Sequence, residues 1–179
     1  MILRNVMFAM SFATLAAGGC MVDEAGAVDT GDELATAESA LVTDGPVFGG
    51  GGGQPFHTVN FDPNNKITAV QIRSATEIDA IRVFYANGLI ETYADDDGGT
   101  WNQPFDIFPG EELTSIFGYV GDRVDSIWLG TSTGRWSQKY GGNGGNRNYN
   151  YTIPGGTRVL GFLGRAADRI DAVGLVYNR

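Results

Sequence analysis

Ile78-Asp79-Ala80-Ile81-Arg82-Val83 recurs as Val124-Asp125-Ser126-Ile127-Trp128-Leu129 and again as Ile170-Asp171-Ala172-Val173-Gly174-Leu175, with a step of 46 residues both times. The same step relates Gly52-Gly53 to Gly98-Gly99 and Gly144-Gly145. It also relates Phe61 to Ile107 and Ile153, Ile67 to Leu113 and Val159, and Val70 to Ile116 and Phe162. Unlinked sets of positions sharing one ungapped period mark an internal repeat, so three copies of one unit make up the domain.

Each copy has the punctuation of a four-stranded antiparallel sheet. In the first, a glycine run leads into residues 55–61 and Pro63-Asn64-Asn65 turns the chain. Residues 67–73 then extend, a short loop spans 75–77, 78–85 extend again, and Asn87-Gly88 turns into 89–93. Asn-Gly predicts a two-residue hairpin with positive φ at both positions. Alternation puts Ile81, Val83 and Tyr85 on one strand face. Ile127 and Leu129, then Val173, Leu175 and Tyr177, are their counterparts, and together they form the expected core. No segment of the domain keeps a 3.6-residue apolar period over three turns, so helix is expected to be nearly absent. One small sheet cannot bury its apolar face alone, whereas three facing inward about a pseudo-threefold axis can.

Composition narrows the function classes. The 179 residues suit one domain plus a tail, and 27 glycines with 18% charged residues suit a turn-rich β protein. Acids outnumber Lys plus Arg by 21 to 12, a net charge of −9, which is the wrong sign for gripping phosphate backbones, so no nucleic-acid partner is expected. The single Cys and single His exclude disulfide frameworks, Cys/His zinc sites and Ser-His or Cys-His catalytic pairs.

The charge is concentrated ahead of the repeats. Residues 20–46 hold seven acids and no Lys or Arg, whereas 47–179 hold 14 acids and 11 bases. Residues 21–45 contain no aromatic side chain and read as a flexible acidic linker. Before it, Arg4 precedes an apolar run from Val6 to Ala17 that stops at Gly18-Gly19-Cys20. The run is too short to span a bilayer but matches the apolar centre of a signal peptide. Cys20 at its end resembles the lipidated Cys of bacterial lipoprotein signals, although Ala17 stands where that pattern normally has Leu. Cleavage near Gly19 or Ala27 without lipidation is the alternative. The division expected is a signal peptide at 1–19, a linker at 20–46 and the domain at 47–179, in an exported protein of the bacterial cell envelope or a secreted one.

Several stretches together resemble the jacalin-related lectin domain: residues 49–53, 67–85, 115–125 with Gly121-Asp122-Arg123-Val124-Asp125, 140–145, and Gly161-Phe162-Leu163-Gly164-Arg165 followed by 166–177. The resemblance covers 47–179. It implies the β-prism I fold, three four-stranded antiparallel Greek-key sheets with pseudo-threefold symmetry, and a carbohydrate-binding protein needing neither metal nor cofactor.

The family's sugar site combines a Gly-Gly loop with a Gly-x-x-x-Asp loop. The resemblance therefore assigns Gly52 and Gly53 with Ala167, Asp168, Arg169 and Asp171 to a primary site. By the pseudo-threefold, Gly98 and Gly99 would join Ala75, Thr76, Glu77 and Asp79, and Gly144 and Gly145 would join Gly121, Asp122, Arg123 and Asp125. Glycines let the main chain approach a sugar, and a carboxylate accepts two hydroxyl hydrogens. Ala75 and Ala167 replace the opening glycine in two copies; where that position requires positive φ, Ala costs about 1 kcal/mol. Uncleaved family members usually prefer mannose or glucose, and no processing signal stands beside Gly49, so mannose-type glycans are the expected partners, with up to three sites. The membrane is expected to be reached only through a lipid anchor, and a homo-oligomer is compatible with the sequence.

Other groups carry less. Tyr119, Trp136, Tyr140, Tyr149 and Tyr151 are candidate stacking surfaces, and residues 138–151 the expected specificity loop. Asp95-Asp96-Asp97-Gly98-Gly99 lacks calcium-loop spacing. Glu111-Glu112 reads as an exposed turn rather than a glycosidase pair, and His57 as a surface residue with no visible partner. A binding protein is expected rather than an enzyme. The alternatives are a structural envelope protein using the prism without sugar binding, or a carboxylate glycosidase.

Overall fold

The computed structural model describes residues 41–94 and 98–179. The expected signal peptide, Cys20, most of the acidic linker and Asp95-Asp96-Asp97 lie outside them. The described residues form strands and no helix. In chain order these are β1 (Val42–Asp44), β2 (Phe48–Gly49), β3 (Gln54–His57), β4 (Ile67–Ser74), β5 (Ile78–Tyr85), β6 (Ile90–Tyr93), β7 (Thr100–Trp101), β8 (Phe105–Asp106), β9 (Leu113–Val120), β10 (Val124–Thr131), β11 (Tyr140–Gly141), β12 (Arg147–Thr152), β13 (Arg158–Ala166) and β14 (Ile170–Asn178). They make three antiparallel sheets, each centred on one hairpin: β4 with β5, β9 with β10, and β13 with β14.

The repeat and the sheet are offset from one another. Residues 55–61 were expected beside 67–73, but β3 pairs with β13, Gly164 opposite Phe56. The broken strand β7/β8 pairs with β4, and β12 with β9. Each sheet thus takes one outer strand from the following repeat. The third sheet, whose hairpin ends at Asn178, takes its other edge from the start of the folded chain: β1 pairs with β14, Val42 opposite Asn178, and β2 follows along the same strand. Val42–Asp44, expected within the linker, therefore belong to a sheet edge. Their backbone groups are satisfied by the last strand, and Gly45 after them donates to the Leu175 carbonyl at 2.9 Å.

The inward faces follow the alternation. Ile81, Val83, Ile127, Leu129, Val173 and Leu175 are fully buried in one core drawn from all three sheets, with Tyr85 and Tyr177 beside them. The Asn87-Gly88 turn differs from expectation: only Gly88 takes a positive φ, +87°, and Asn87 instead accepts the Leu89 N–H on its side chain at 2.8 Å.

Equivalent charged residues tie the central hairpins together twice. Glu112 stands between Lys66 (3.1 Å) and Arg158 (3.3 Å), all three one repeat apart. Glu77 stands between Arg123 (2.9 Å) and Arg169 (2.7 Å), again one repeat apart. Half-exposed pairs such as these stabilise little individually but fix which loops meet.

Three polar clusters depart from the sequence reading. Glu111 is buried, not exposed. Its carboxylate receives Thr131 and Thr133 hydroxyls at 2.6 Å, Arg135 Nη2 at 2.5 Å and the Phe108 N–H at 3.1 Å. The Arg135 hydrogen bonds outweigh burial and, with the two threonines, hold this carboxyl far below the usual range. Glu91, also buried, accepts from Thr58 Oγ1 (2.8 Å), the Val59 and Asn60 N–H groups (2.8 and 3.1 Å), Tyr85 (3.0 Å) and Tyr93. It thereby locks the chain after β3 against β6. His57 has a partner after all, Asp44 at 2.8 Å from Nε2, and its Nδ1–H donates to the Thr58 carbonyl at 2.8 Å. Partial burial opposes its ionisation, but these hydrogen bonds and the Asp44 charge raise its pKa above 6.5. Its contribution to stability is therefore complete below that value and fades as pH rises through the raised one.

Arg135→Ala leaves the Glu111 carboxylate buried without its cation and is expected to lower the unfolding free energy by about 3–5 kcal/mol, read as a fall in the denaturant midpoint. Because the folded-state pKa of Glu111 is depressed, its stabilisation is present above the ordinary value of 4.5 and is lost on acidification. Glu111→Gln should flatten that part of the stability–pH curve.

Candidate functional site

Strand alternation alone would place Asp79 on the same face as Ile81 and Val83. The structure instead interrupts the ladder at each such Asp. Arg73 pairs with Ala80 and Ser74 with Ile78, so Asp79 is skipped. Asp125 is skipped between the Val124–Val120 and Ser126–Tyr119 pairs, and Asp171 between Arg165–Ala172 and Ala166–Ile170. Each Asp is thus the extra residue of a β-bulge, which re-aims its side chain out of the core alternation. The residues on either side, Ile78 with Ile81, Val124 with Ile127, and Ile170 with Val173, all enter the core.

Each re-aimed carboxylate lies against one glycine pair. A Cβ added to Gly52 would lie 2.8 Å from Asp171 Oδ1, one on Gly98 would lie 2.3 Å from Asp79 Oδ1, and one on Gly144 would lie 2.1 Å from Asp125 Oδ1. Gly53, Gly99 and Gly145 have φ of +62°, +55° and +78° and meet the corresponding Oδ2 atoms, so these positions require glycine for both space and conformation. Gly52-Gly53 thus meets Asp171, Gly98-Gly99 meets Asp79, and Gly144-Gly145 meets Asp125.

The loops preceding the aspartates share one turn. Ala75 N–H donates to the Glu77 carbonyl (3.2 Å), Gly121 N–H to Arg123 (2.9 Å) and Ala167 N–H to Arg169 (3.1 Å). Gly121 is not among the residues with positive φ, and a Cβ there would meet nothing closer than 3.5 Å. The expected backbone penalty for Ala75 and Ala167 therefore does not exist. Thr76, Asp122, Ala167 and Asp168 are exposed at the loop tips, and Glu77 and Arg169 are half-buried.

Charge separates the three copies. Asp79 is 1% exposed, and its Oδ1 is 3.3 Å from Arg169 Nε. Asp171 Oδ1 lies 3.9 Å from Arg123 Nε. The Oδ2 atoms of Asp79 and Asp171 are buried and make no hydrogen bond to the protein, leaving acceptor capacity unused. Among the described residues no cation pairs with Asp125, although Arg123 lines the groove beside it. Burial first, then the charges of Glu77 and Asp122, raise the Asp125 pKa, against a lowering by the Gly121 N–H. A groove of about 360 Å³ lined by Glu77, Gly121, Asp122, Arg123 and Asp125 opens beside it.

Of the aromatic candidates, Tyr140 and Tyr149 are core residues at 3% exposure and Tyr151 packs against the core, so none of these three offers an open stacking face. Tyr119 and Trp136 are exposed. Residues 138–151 are partly strand, β11 and β12, rather than one free loop. Arg147 and Arg165, which the sequence reading did not single out, brace the primary glycine loop. Arg165 donates to the Gly52 and Gly53 carbonyls at 2.7 Å each, and Arg147 to Gly49 at 3.3 Å and Gly121 at 3.1 Å. Arg147 is charged where the other copies have Trp101 and Pro55, whereas Arg165 shares its charge with Arg73 and not with Tyr119, and the role of either becomes legible only once the loops are placed.

Because the Asp125 pKa is raised in the folded state, its ionised form opposes folding at neutral pH, and Asp125→Asn should leave the melting temperature unchanged or higher there. Carboxyl titration by NMR should place Asp125 above 3.8, and Glu77→Gln should bring it down.

A lectin family model, the jacalin-like lectin domain, matches residues 45–176. Among solved structures, wild-type Malaysian banana lectin is 26% identical with a TM-score of 0.63, the match covering 78% of this chain and 98% of that one. The mannose-binding lectin from champedak is 24% identical with a TM-score of 0.62, covering 79% and 98%. A lamprey immune protein is 22% identical with a TM-score of 0.65, covering 77% of this chain and 44% of that one. Among curated proteins none matches. With three bulged aspartates set against three glycine pairs on a prism of three sheets, and a family model spanning nearly all the described residues, the chain belongs to the jacalin-like lectin family and carries a carbohydrate-binding domain.

Proposed function

We propose that the protein is a metal-independent lectin for mannose- or glucose-type saccharides, with up to three sites: Gly52-Gly53 with Asp171, Gly144-Gly145 with Asp125, and Gly98-Gly99 with Asp79. The observation that carries this reading is the threefold recurrence of a glycine pair pressed against a bulged carboxylate, two of the three carboxylates keeping a buried acceptor oxygen unused by the protein. In each site the carboxylate accepts hydroxyl hydrogens while the unsubstituted glycine backbone lets the ring approach. The mannose-binding lectin from champedak and artocarpin, solved with mannotriose, support the saccharide class.

A structural role is favoured at one position. Arg169 already occupies Asp79, which is the most buried of the three aspartates, so this copy is the weakest binder. Calorimetry with methyl α-mannoside should give a stoichiometry between one and three. Asp171→Asn and Asp125→Asn should each weaken only its own site, about tenfold or more, because a hydrogen bond to a charged group contributes about 1.5–3 kcal/mol. Unchanged binding in both variants would return the aspartates to a purely structural role.

We further propose that the chain is exported and held on a membrane through a lipidated Cys20, the acidic linker keeping the domain clear of an anionic surface. Cys20→Ser should move the protein out of the membrane fraction or block its maturation. Unchanged fractionation with an unmodified Cys20 in the mass spectrum would remove the anchor.

A further inference from the structure

The three sites have the same glycines and the same carboxylate, but not the same surroundings. Around Gly52-Gly53 and Asp171 stand three guanidinium groups. Arg165 Nε and Nη2 donate to the Gly52 and Gly53 carbonyls, both at 2.7 Å. Arg147 Nη2 bridges the Gly49 and Gly121 carbonyls at 3.3 and 3.1 Å. Arg123 holds Nε 3.9 Å from Asp171 and Nη1 2.9 Å from Glu77, with 43% of its side chain in solvent. One repeat back, around Gly144-Gly145 and Asp125, the positions of Arg123, Arg147 and Arg165 are held by Glu77, Trp101 and Tyr119. Around Gly98-Gly99 and Asp79 they are Arg169, Pro55 and Arg73. The same three positions therefore contribute three positive charges at one site, two at another and a negative charge at the third.

These cations are not bystanders to the binding geometry. Arg165 grips the carbonyls of Gly52 and Gly53, the loop that a sugar must approach, Arg147 ties Gly49 to Gly121 of the neighbouring loop, and Arg123 reaches from that loop to the edge of the carboxylate that accepts its hydroxyls. A guanidinium presents donors in a planar fork that matches a carboxylate or sulfate oxygen pair and is well suited to an anion carried on a pyranose ring. The Asp125 groove is lined by Glu77 and Asp122 as well as by Arg123, whose Nη1 is taken by Glu77, so its lining is net negative and disfavours the same group.

Resting on the reading of these loops as sugar sites, we propose that they are sorted by charge. The Gly52-Gly53/Asp171 site takes a saccharide carrying an anionic substituent, a hexuronate or a sulfated hexose, and the Gly144-Gly145/Asp125 site takes only uncharged ones. Arg123 is the specificity-determining residue, acting across the boundary between two repeats.

Methyl α-glucoside and methyl α-glucuronide differ only in oxidation at C6, and glucose 6-sulfate carries the alternative anion. NMR titration of the purified full chain with each reads the sites separately through the amides of Gly52 and Gly53 and of Gly144 and Gly145. The expected result is that at least one of the two anionic sugars binds at Gly52-Gly53 about tenfold or more tightly than the glucoside, with the advantage shrinking as salt is raised. Neither anionic sugar should bind at Gly144-Gly145, where the glucoside should. Arg123→Gln should remove most of the anionic preference at Gly52-Gly53, and Arg123→Lys should restore part of it. Preference for the glucuronide or for the sulfate tells which anion the site was built for. Glucoside binding with no anionic preference at Gly52-Gly53, or a preference indifferent to Arg123→Gln, overturns the charge sorting and leaves the lectin reading intact. If none of the three sugars moves any glycine amide, both fail.

Discussion

In every repeat two apolar residues three positions apart, Ile78 and Ile81 or their counterparts, must enter one core, although a regular strand sends an odd spacing to opposite faces. The bulge resolves this by inserting one residue that opposes nothing, and in all three copies that residue is the aspartate. Packing and site formation are thus one event. The core sets the bulge, the bulge aims the carboxylate, and the carboxylate leaves room beside it only for glycine. A hydrophobic demand on one face of the strand creates a polar recognition element at its end.

Closure of the prism depends on a second economy of chain. Because each hairpin borrows an outer strand from the next repeat, the last hairpin has none to borrow and is completed by β1 to β3 from the beginning of the domain. This covers edges that would otherwise present unpaired backbone groups. It also explains the buried Glu91, which receives Thr58, Val59 and Asn60 just where the chain leaves β3 and passes to the next sheet. A carboxylate with this many donors is a costly group to bury, and its satisfaction fixes the crossing in one arrangement.

On this symmetric backbone the charges are asymmetric. Positions 77, 123 and 169 hold one glutamate and two arginines, so the three loops attract one another at a single acid while each site receives a different neighbour. The other triad, 66, 112 and 158, uses the same two-to-one rule. Three like charges would have driven the loops apart; one acid between two bases draws them together and, as a by-product, makes the sites unequal.

The sequence by itself determined the repeat, the all-β class and the inward faces, which rest on period and alternation written along the chain; the pairing of each glycine pair with its aspartate was implied by the resemblance to the lectin family. Tertiary structure alone decided the rest. The linker boundary moves because Val42–Asp44 pair with a strand more than 130 positions away, which no local composition reveals. From sequence alone Glu111 reads as exposed and His57 as unpartnered because Arg135 and Asp44 are distant in sequence; His57 does lie at the surface, but a buried carboxylate is recognisable only from its donors. The Ala-for-Gly difference at positions 75 and 167 had suggested strain, but φ at that position is set by the turn the folded loop adopts, and it proved ordinary for any residue. Strand period and turn chemistry are local and can be read; charge pairing and edge completion are distances between remote parts of the chain, and only the folded molecule sets them.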